Sequence, residues 1–374
     1  MRSATLAMLT FIALPTMAQD AAKSQPWINN VKVSGFAMVQ YQYSGQKDNE
    51  SNSFNLRMAR VTLDGRAAKD FYWKAQLQVS GTTSTLATSP RLCDLFVEWQ
   101  KLSAVRVKVG QFQLPFTFEN PMHPIDQGFM NNGMSVLNLV NFSDRSGAVS
   151  SNGRDIGMQI QGDFLPNSKG RSLLHYAVSV VNGQGINCKD VDQRKSIIGG
   201  LWIAPVDGLR IGAFGWEGSY ARKGTWADEA GETHSGTRSL PQHRYALSAE
   251  YAHDDWTLRT EYIHSTGEAF SKSYVNSDDA SATDCSLSAK GNKADGYYAL
   301  AIAPVIKKKL HVKARYDLYR QCADWQTAKT NYEIGADYQF SKTLGITAEY
   351  IHVNDRTLSK HDYDMVDVEM TLKF

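Results

Sequence analysis

Along most of this chain hydrophobic and polar residues alternate one by one. Val105, Val107 and Val109 alternate with Arg106 and Lys108, and a period of two marks a strand with one apolar and one polar face. Gly110 and Pro115 end that stretch, since proline has no N–H for a ladder. Over 31–44, Val31, Val33, Ala37, Val39, Tyr41 and Tyr43 take one face and Lys32, Ser34, Gln40 and Gln42 the other. Over 54–67, Ala59, Val61 and Leu63 alternate with Arg60, Thr62 and Asp64. Over 71–79, Phe71, Trp73, Ala75, Leu77 and Val79 alternate with Tyr72, Lys74, Gln76 and Gln78. Near 91–100, Leu95, Val97 and Trp99 oppose Asp94, Phe96 and Glu98. Further strands are predicted near 153–163, 172–182, 195–204, 208–219, 242–253, 256–266, 294–304, 309–319, 329–340, 343–354 and 362–374, sixteen in all.

Tight turns such as Pro205–Asp207, Asp254-Asp255 and Ser341-Lys342 alternate with longer polar loops near 45–53, 220–241, 267–293, 320–328 and 355–361. An even strand count with short and long connections in turn is the pattern of a transmembrane barrel, short turns periplasmic and long loops outside. No alternation appears between 114 and 152. So long an irregular stretch is foreign to a compact soluble domain. It is accommodated if the barrel is wide and hollow and the segment folds into its lumen. The expected fold is therefore all-β, a sixteen-stranded antiparallel transmembrane β-barrel over 31–374, with 114–152 as a constriction loop.

Aromatics recur near strand ends on the apolar face, among them Tyr41, Tyr43, Phe71, Trp99, Tyr251, Trp256, Tyr262, Tyr338 and Tyr350. That placement fits the two interfacial girdles of such barrels. The last strand alternates Val366, Val368, Met370, Leu372 and Phe374 with Asp367, Glu369, Thr371 and Lys373, and the chain stops on that phenylalanine. This ending is similar to the C-terminal signal read by the outer-membrane assembly machinery.

Composition agrees once the barrel is assumed. Mean hydropathy is −0.38, which argues against membrane helices but not against a barrel, where only alternate residues need be apolar. Met1–Ala18 reads as a secretory signal: Arg2 is the basic start, Ala4–Leu14 the apolar core, and Thr16-Met17-Ala18 the cleavage site. The core is too short to cross a bilayer as a helix. A polar periplasmic lead-in follows over 19–30. A net charge of +2 and a pI near 8.2 point to no nucleic-acid partner. Cys93, Cys188, Cys285 and Cys322 fall at loops or strand tops, and an even count in an exported chain makes them candidate disulfides. Cys93 with Cys188 and Cys285 with Cys322 is the favoured pairing among three. No Cys-x-x-Cys or His-Glu-x-x-His spacing indicates a metal, no Gly-x-Ser-x-Gly indicates a hydrolase, and no cofactor is expected.

Phe54-Asn-Leu-Arg-Met-Ala-Arg60, Asp94-Leu-Phe-Val-Glu98, Val109-Gly-Gln-Phe-Gln-Leu-Pro-Phe116 with Glu119, Gly153-Arg-Asp-Ile-Gly157 and the strand from Tyr176 to Gly183 together resemble the phosphate-selective porin O and P family. The resemblance covers nearly the whole mature chain. It implies a trimeric outer-membrane porin whose third loop folds inward, passing small hydrophilic solutes, anions such as phosphate among them, with outer-membrane lipid around it and no catalysis. The chain departs from phosphate-selective members where selectivity would reside. Segment 114–152 holds no lysine and one arginine, Arg145, and Met58 interrupts the arginine-dense motif of the second strand. By alternation, inward cations (Lys32, Arg60, Lys74, Arg106, Lys108, Arg210, Arg244, Arg259, Lys313, Arg315) are matched by as many inward carboxylates (Asp64, Asp94, Glu98, Glu250, Glu261, Asp317, Glu333, Asp337, Asp367, Glu369).

The candidate pore-lining residues are Arg57, Arg60, Lys74, Asp94, Arg106, Lys108 and Arg145. Two readings of the early cations stand side by side: a basic wall that attracts anionic solutes, or lumen ion pairing with Asp64, Asp94 and Glu98. Arg57 is at odds with Arg60 by alternation. An alternative keeps the barrel and gives the function to the outer loops, as an adhesin or as part of a nutrient-uptake complex.

Overall fold

A computed structural model describes residues 28–79, 90–141, 144, 151–271 and 283–374. The secretory signal, the lead-in up to residue 27, and Arg145 lie outside the described residues.

The strands are β1 (Ile28–Ser44), β2 (Ser51–Ala67), β3 (Phe71–Gln78), β4 (Arg91–Trp99), β5 (Arg106–Gln113), β6 (Arg154–Pro166), β7 (Ser172–Val181) and β8 (Ser196–Ile203). They continue as β9 (Leu209–Ala227), β10 (Thr233–His253), β11 (Trp256–Thr266), β12 (Thr283–Asp284), β13 (Lys293–Ile306), β14 (Leu310–Arg320), β15 (Ala328–Gln339), β16 (Leu344–Asp355) and β17 (Asp362–Lys373). Leaving aside the two-residue β12, each strand pairs antiparallel with its neighbour in sequence, and β17 pairs back onto β1. The result is a closed barrel of sixteen antiparallel strands. Closure leaves no free sheet edge, so every ladder group can find a partner.

The alternation read from the sequence is the alternation of the wall. Val39, Leu63, Leu77, Leu95, Val97, Val109, Leu247, Val312, Ile334 and Leu372 are exposed on the outer face. Gln40, Arg60, Asp94, Glu98, Arg259, Glu261, Lys313, Arg315, Asp317, Glu333, Asp367 and Glu369 are buried on the inner one. A soluble protein would have these faces reversed. Asp254 and Asp255, both at positive φ (49° and 73°), make the two-residue turn between β10 and β11, the backbone that matches the twist of a hairpin. In the adjacent turn Lys307 stands 2.7 Å from the Asp254 carboxylate and holds it below the usual carboxylate range.

The structure differs from the sequence reading at one loop. The expected polar loop 220–241 is mostly strand: β9 and β10 stay paired from Tyr220↔Leu240 out to Ala227↔Thr233 and turn only at 228–232. Here Ser219 to Arg222 are buried in succession, on both faces, and Lys223 to Ala227 are exposed or half-buried, so neither part carries the one-sided hydrophobic alternation of a barrel wall. β12 adds to it in parallel, Thr283 opposite Gly224.

The hairpin also rearranges the cysteines. Cys188 and Cys285 share a buried cluster with Tyr220, Leu240 and Phe270. Cys93 packs instead on Ile186, and the Cys322 thiol lies 2.9 Å from the Lys290 carbonyl. Neither Cys93 nor Cys322 is in a disulfide, so neither favoured pair forms.

Candidate functional site

The segment after β5 runs through the barrel interior. It begins with aromatic anchors: Phe116 stands edge-on to Phe214 and Trp216, with ring centroids 6.3 and 5.7 Å apart. Phe118 stands edge-on to Phe214 at 5.4 Å. A short helix, Met134–Leu139, then packs against β11, β13 and β14. These side chains form one apolar cluster with Val181, Ile198, Ala246, Ile263 and Leu300 of the wall. Between anchor and helix, a helical turn at Pro124–Asp126 reaches the opposite wall. There Ile125 meets Phe36, Met38 and Met58, and His123 stands edge-on to Phe36 at 4.7 Å.

An irregular backbone buried in this way needs partners for its polar groups, and the charged inner wall supplies them. Carboxylates take the N–H groups: Glu261 accepts from Phe118 at 2.7 Å and Glu119 at 3.1 Å, Glu349 from Met130 at 2.9 Å, and Asp317 from Met134 at 2.7 Å. Cations take the carbonyls: Arg259 donates to Gln127 at 3.0 Å, Lys313 to Gly128 at 2.7 Å, and Arg315 to Asn131 at 2.8 Å. Glu119, carried by the segment itself, accepts from Gly133 N–H at 3.0 Å. The wall charges also pair with one another: Arg259–Glu250 at 2.7 Å, Lys313–Glu349 at 2.6 Å and Arg315–Glu333 at 2.8 Å. Gly128 has φ +91°, a backbone conformation that favours glycine, and a Cβ there would also have to push aside the Ile302 Cδ1, 2.5 Å away.

The candidate residues of the early strands divide. Lys74 pairs with Asp94 at 2.8 Å, and Arg154 reaches the same carboxylate at 2.6 Å. Arg106 pairs with Asp163 at 2.9 Å near the short-turn end. Arg60, 1 % exposed, is held by amide oxygens, Gln78 at 3.0 Å and Asn152 at 2.9 Å. Its charge sits behind the lumen surface. Lys108 has no ion pair among the described residues; its ammonium lies over the rings of Phe96 and Phe112, 4.9 and 5.5 Å from their centroids. With Lys74 and Arg210 it lines a cavity of about 290 Å3 between the segment and β3–β9. Of the early cations, Lys74 and Arg106 are thus ion-paired, while Lys108 is not paired among the described residues.

Arg57 faces inward although its alternation opposes that of Arg60. β1 pairs Met38 with Met58 and Val39 with Leu56, which leaves Arg57 as the extra residue of a bulge. A bulge puts neighbouring side chains on one face. Arg57 reaches Glu369 at 2.9 Å and also bonds the Met130 carbonyl. It lines a cavity of about 190 Å3 with Gln40, Gln42, Asn131 and Asn141. Glu369 lines a larger one, about 400 Å3, toward the short turns.

Sequence reasoning found Glu261 and Asp317 as inward charges but not as the segment's acceptors, and it missed Glu349 altogether. Two strand positions beyond Glu349 the inner face turns apolar with Ile351 and Val353, which blurs the alternation that would have placed it.

Comparison with known proteins agrees with this architecture. The family described as phosphate-selective porin O and P matches residues 31–373. No curated protein matches the sequence. Among solved structures, the anion-selective porin from Comamonas acidovorans superposes with a TM-score of 0.63 at 13% identity, covering 92% of this chain and 99% of that one. Salmonella typhi OmpF in complex with daunomycin gives 0.63 at 11% identity, covering 92% and 97%. The outer-membrane channel DcaP of Acinetobacter baumannii gives 0.59 at 12% identity, again covering 92% and 97%.

Proposed function

The chain belongs to the phosphate-selective porin O and P family, and from that premise we propose that this outer-membrane porin is a passive diffusion channel for small hydrophilic solutes, narrowed by segment 114–152. The observation that carries the reading is the crossing of the lumen by residues 116–139, whose backbone is held on charged side chains of the wall. A barrel filled only by side chains has no use for such a strut, whereas a pore that discriminates by size needs one.

The apolar outer face, rimmed by Phe71, Tyr251 and Trp256 at the short-turn end and by Tyr43 and Tyr350 at the other, suits outer-membrane lipid. In this reading the short turns are periplasmic, the β9–β10 hairpin stands outside, Met1–Ala18 directs export, and the pore works as a homotrimer. Transport needs no energy input and no chemistry. Anion preference would rest on Lys108, since its neighbours Lys74 and Arg210 are paired with Asp94 and Glu250 and most other inward cations are engaged by carboxylates or backbone carbonyls. Rings of one charge sign are what set ion selectivity.

The test is conductance of the purified protein in a planar bilayer, with reversal potential under a KCl gradient and then added phosphate. Steady open steps grouped in threes are expected, with weak selectivity. A protein that inserts yet gives no steps would remove the channel reading and move the function to the outer loops.

A further inference from the structure

We infer that the narrow passage between the segment and β1–β2 recognises uncharged polyhydroxylated solutes, sugars and polyols, through a lining of side-chain amides. This rests on the porin reading above and names its solute class. Nine of the thirteen residues lining the 190 Å3 cavity are asparagine or glutamine, and among the described residues only one is charged. That residue is Arg57, whose guanidinium is engaged by the Glu369 carboxylate at 2.9 Å and by the Met130 carbonyl. The passage therefore offers an anion no uncompensated positive charge.

The amides are not all needed to hold the protein together. Some are structural, such as Asn120, which donates to the Leu114 carbonyl at 2.8 Å. Gln40, Gln127 and Asn141 are 4 %, 6 % and 4 % exposed, yet their side chains have no hydrogen-bond partner among the described residues, and all three line the passage. Buried polar groups are as a rule hydrogen-bonded, so an unpartnered one facing a cavity points to what fills it. The three come from different places: Gln40 from β1, Gln127 from the turn that reaches across the lumen, Asn141 from beyond the helix. A solute between them meets donors and acceptors on several sides.

A carboxamide offers an N–H donor and a carbonyl acceptor a few ångströms apart. A sugar hydroxyl both donates and accepts, so an amide can replace the water it loses on entering without imposing a charge. A phosphate or carboxylate needs donors only, and half of what amides present would repel it. The passage thus fits neutral hydroxylated molecules better than the anions that Lys108 would attract on the other side of the segment.

The experiment uses the full-length protein in planar bilayers, with maltotriose as a neutral linear trisaccharide and inorganic phosphate at matched ionic strength. Maltotriose is expected to reduce the ion current saturably, and phosphate to leave it unchanged. Gln40→Leu and Gln127→Leu each remove hydrogen bonds to the solute and should raise the half-blocking concentration about five-fold, the equivalent of one ordinary hydrogen bond. Lys169→Gln, on an exposed turn, should leave it as it is. Should either amide variant not fold, swelling of liposomes carrying the unmodified protein decides. Neutral trisaccharide should enter faster than an anionic solute of the same size. Phosphate block without sugar block, faster entry of the anion, or undiminished sugar block in both amide variants would overturn this inference and leave the porin reading standing. Absence of any current or swelling would overturn both.

Discussion

Gly35 and Phe374 exchange two backbone hydrogen bonds, 2.9 Å from the Gly35 N–H to the Phe374 carbonyl and 3.0 Å in return. The last residue of the chain thereby joins β17 to β1 and completes the wall. The Phe374 ring lies where a side chain on Gly35 would stand: a Cβ there would come within 2.3 Å of its Cζ and 2.6 Å of the Arg60 carbonyl.

Gly35→Val must therefore displace either the ring or the backbone at the closing seam. Overpacking of this kind costs about 1–3 kcal/mol. The urea midpoint of the refolded barrel should fall accordingly, with Gly35→Ala falling less. An unchanged midpoint for Gly35→Val would mean that the seam tolerates separation.

Much of this wall was legible from alternation because lipid-type and lumen-type faces differ at every strand, so Val39 beside Gln40 or Leu95 beside Asp94 reveals which way each points. Three features were not. The Arg57 bulge breaks parity without leaving a mark such as glycine or proline. The β9–β10 hairpin from residue 219 onward is buried on both faces as far as Arg222 and mostly exposed beyond it, and so has no one-sided period. The inner face at Phe214, Trp216 and Ile263 is apolar because it receives the segment's aromatics, a contact between parts of the chain far apart in sequence. For the site, the balance of inward charges was readable, but not that cations would take carbonyls and carboxylates N–H groups of one segment.

Glu261 is the acceptor that fixes the start of the strut, since both Phe118 and Glu119 N–H groups point at it. Glu261→Ala leaves two buried donors without a partner, at about 1–3 kcal/mol each. The aromatic anchors at Phe116 and Phe118 remain, so the barrel should still form. The segment should loosen, seen as noisier and larger single-channel steps and as faster proteolysis within 116–139. Glu261→Gln keeps one acceptor oxygen and should fall between. Steps as quiet as the parent's in Glu261→Ala would show that the anchors alone hold the strut.

Arg60 and Lys108 are both inward cations of the early strands, but they should behave differently. Lys108 faces a cavity and has no ion pair among the described residues, so Lys108→Glu should shift the reversal potential in a KCl gradient toward cation preference, with Lys108→Gln part of the way. Arg60 is enclosed by Gln78 and Asn152. Arg60→Gln should leave the reversal potential nearly unchanged and lower stability by about 1.5–3 kcal/mol, the scale of a hydrogen bond to a charged group. Equal shifts from both substitutions would place Arg60 at the lumen surface after all.

Arg57 and Glu369 form a bridge between two cavities, Arg57 lining the smaller and Glu369 the larger. Their side chains are 13 % and 5 % exposed, so breaking the pair leaves a largely buried charge, and the cost approaches the roughly 3–5 kcal/mol typical of such a break. The two ways of breaking it have opposite electrical consequences. Arg57→Ala removes the bulkier partner and frees the Met130 carbonyl and the Glu369 carboxylate, so conductance should rise and selectivity turn toward cations. Glu369→Gln keeps the width and frees the guanidinium, so selectivity should turn toward anions with conductance little changed. Reversal potentials of the two variants should therefore lie on either side of the parent's. Shifts in the same direction would mean that ions pass elsewhere, along the cavity beneath Lys108, and that the bridge only braces the strut.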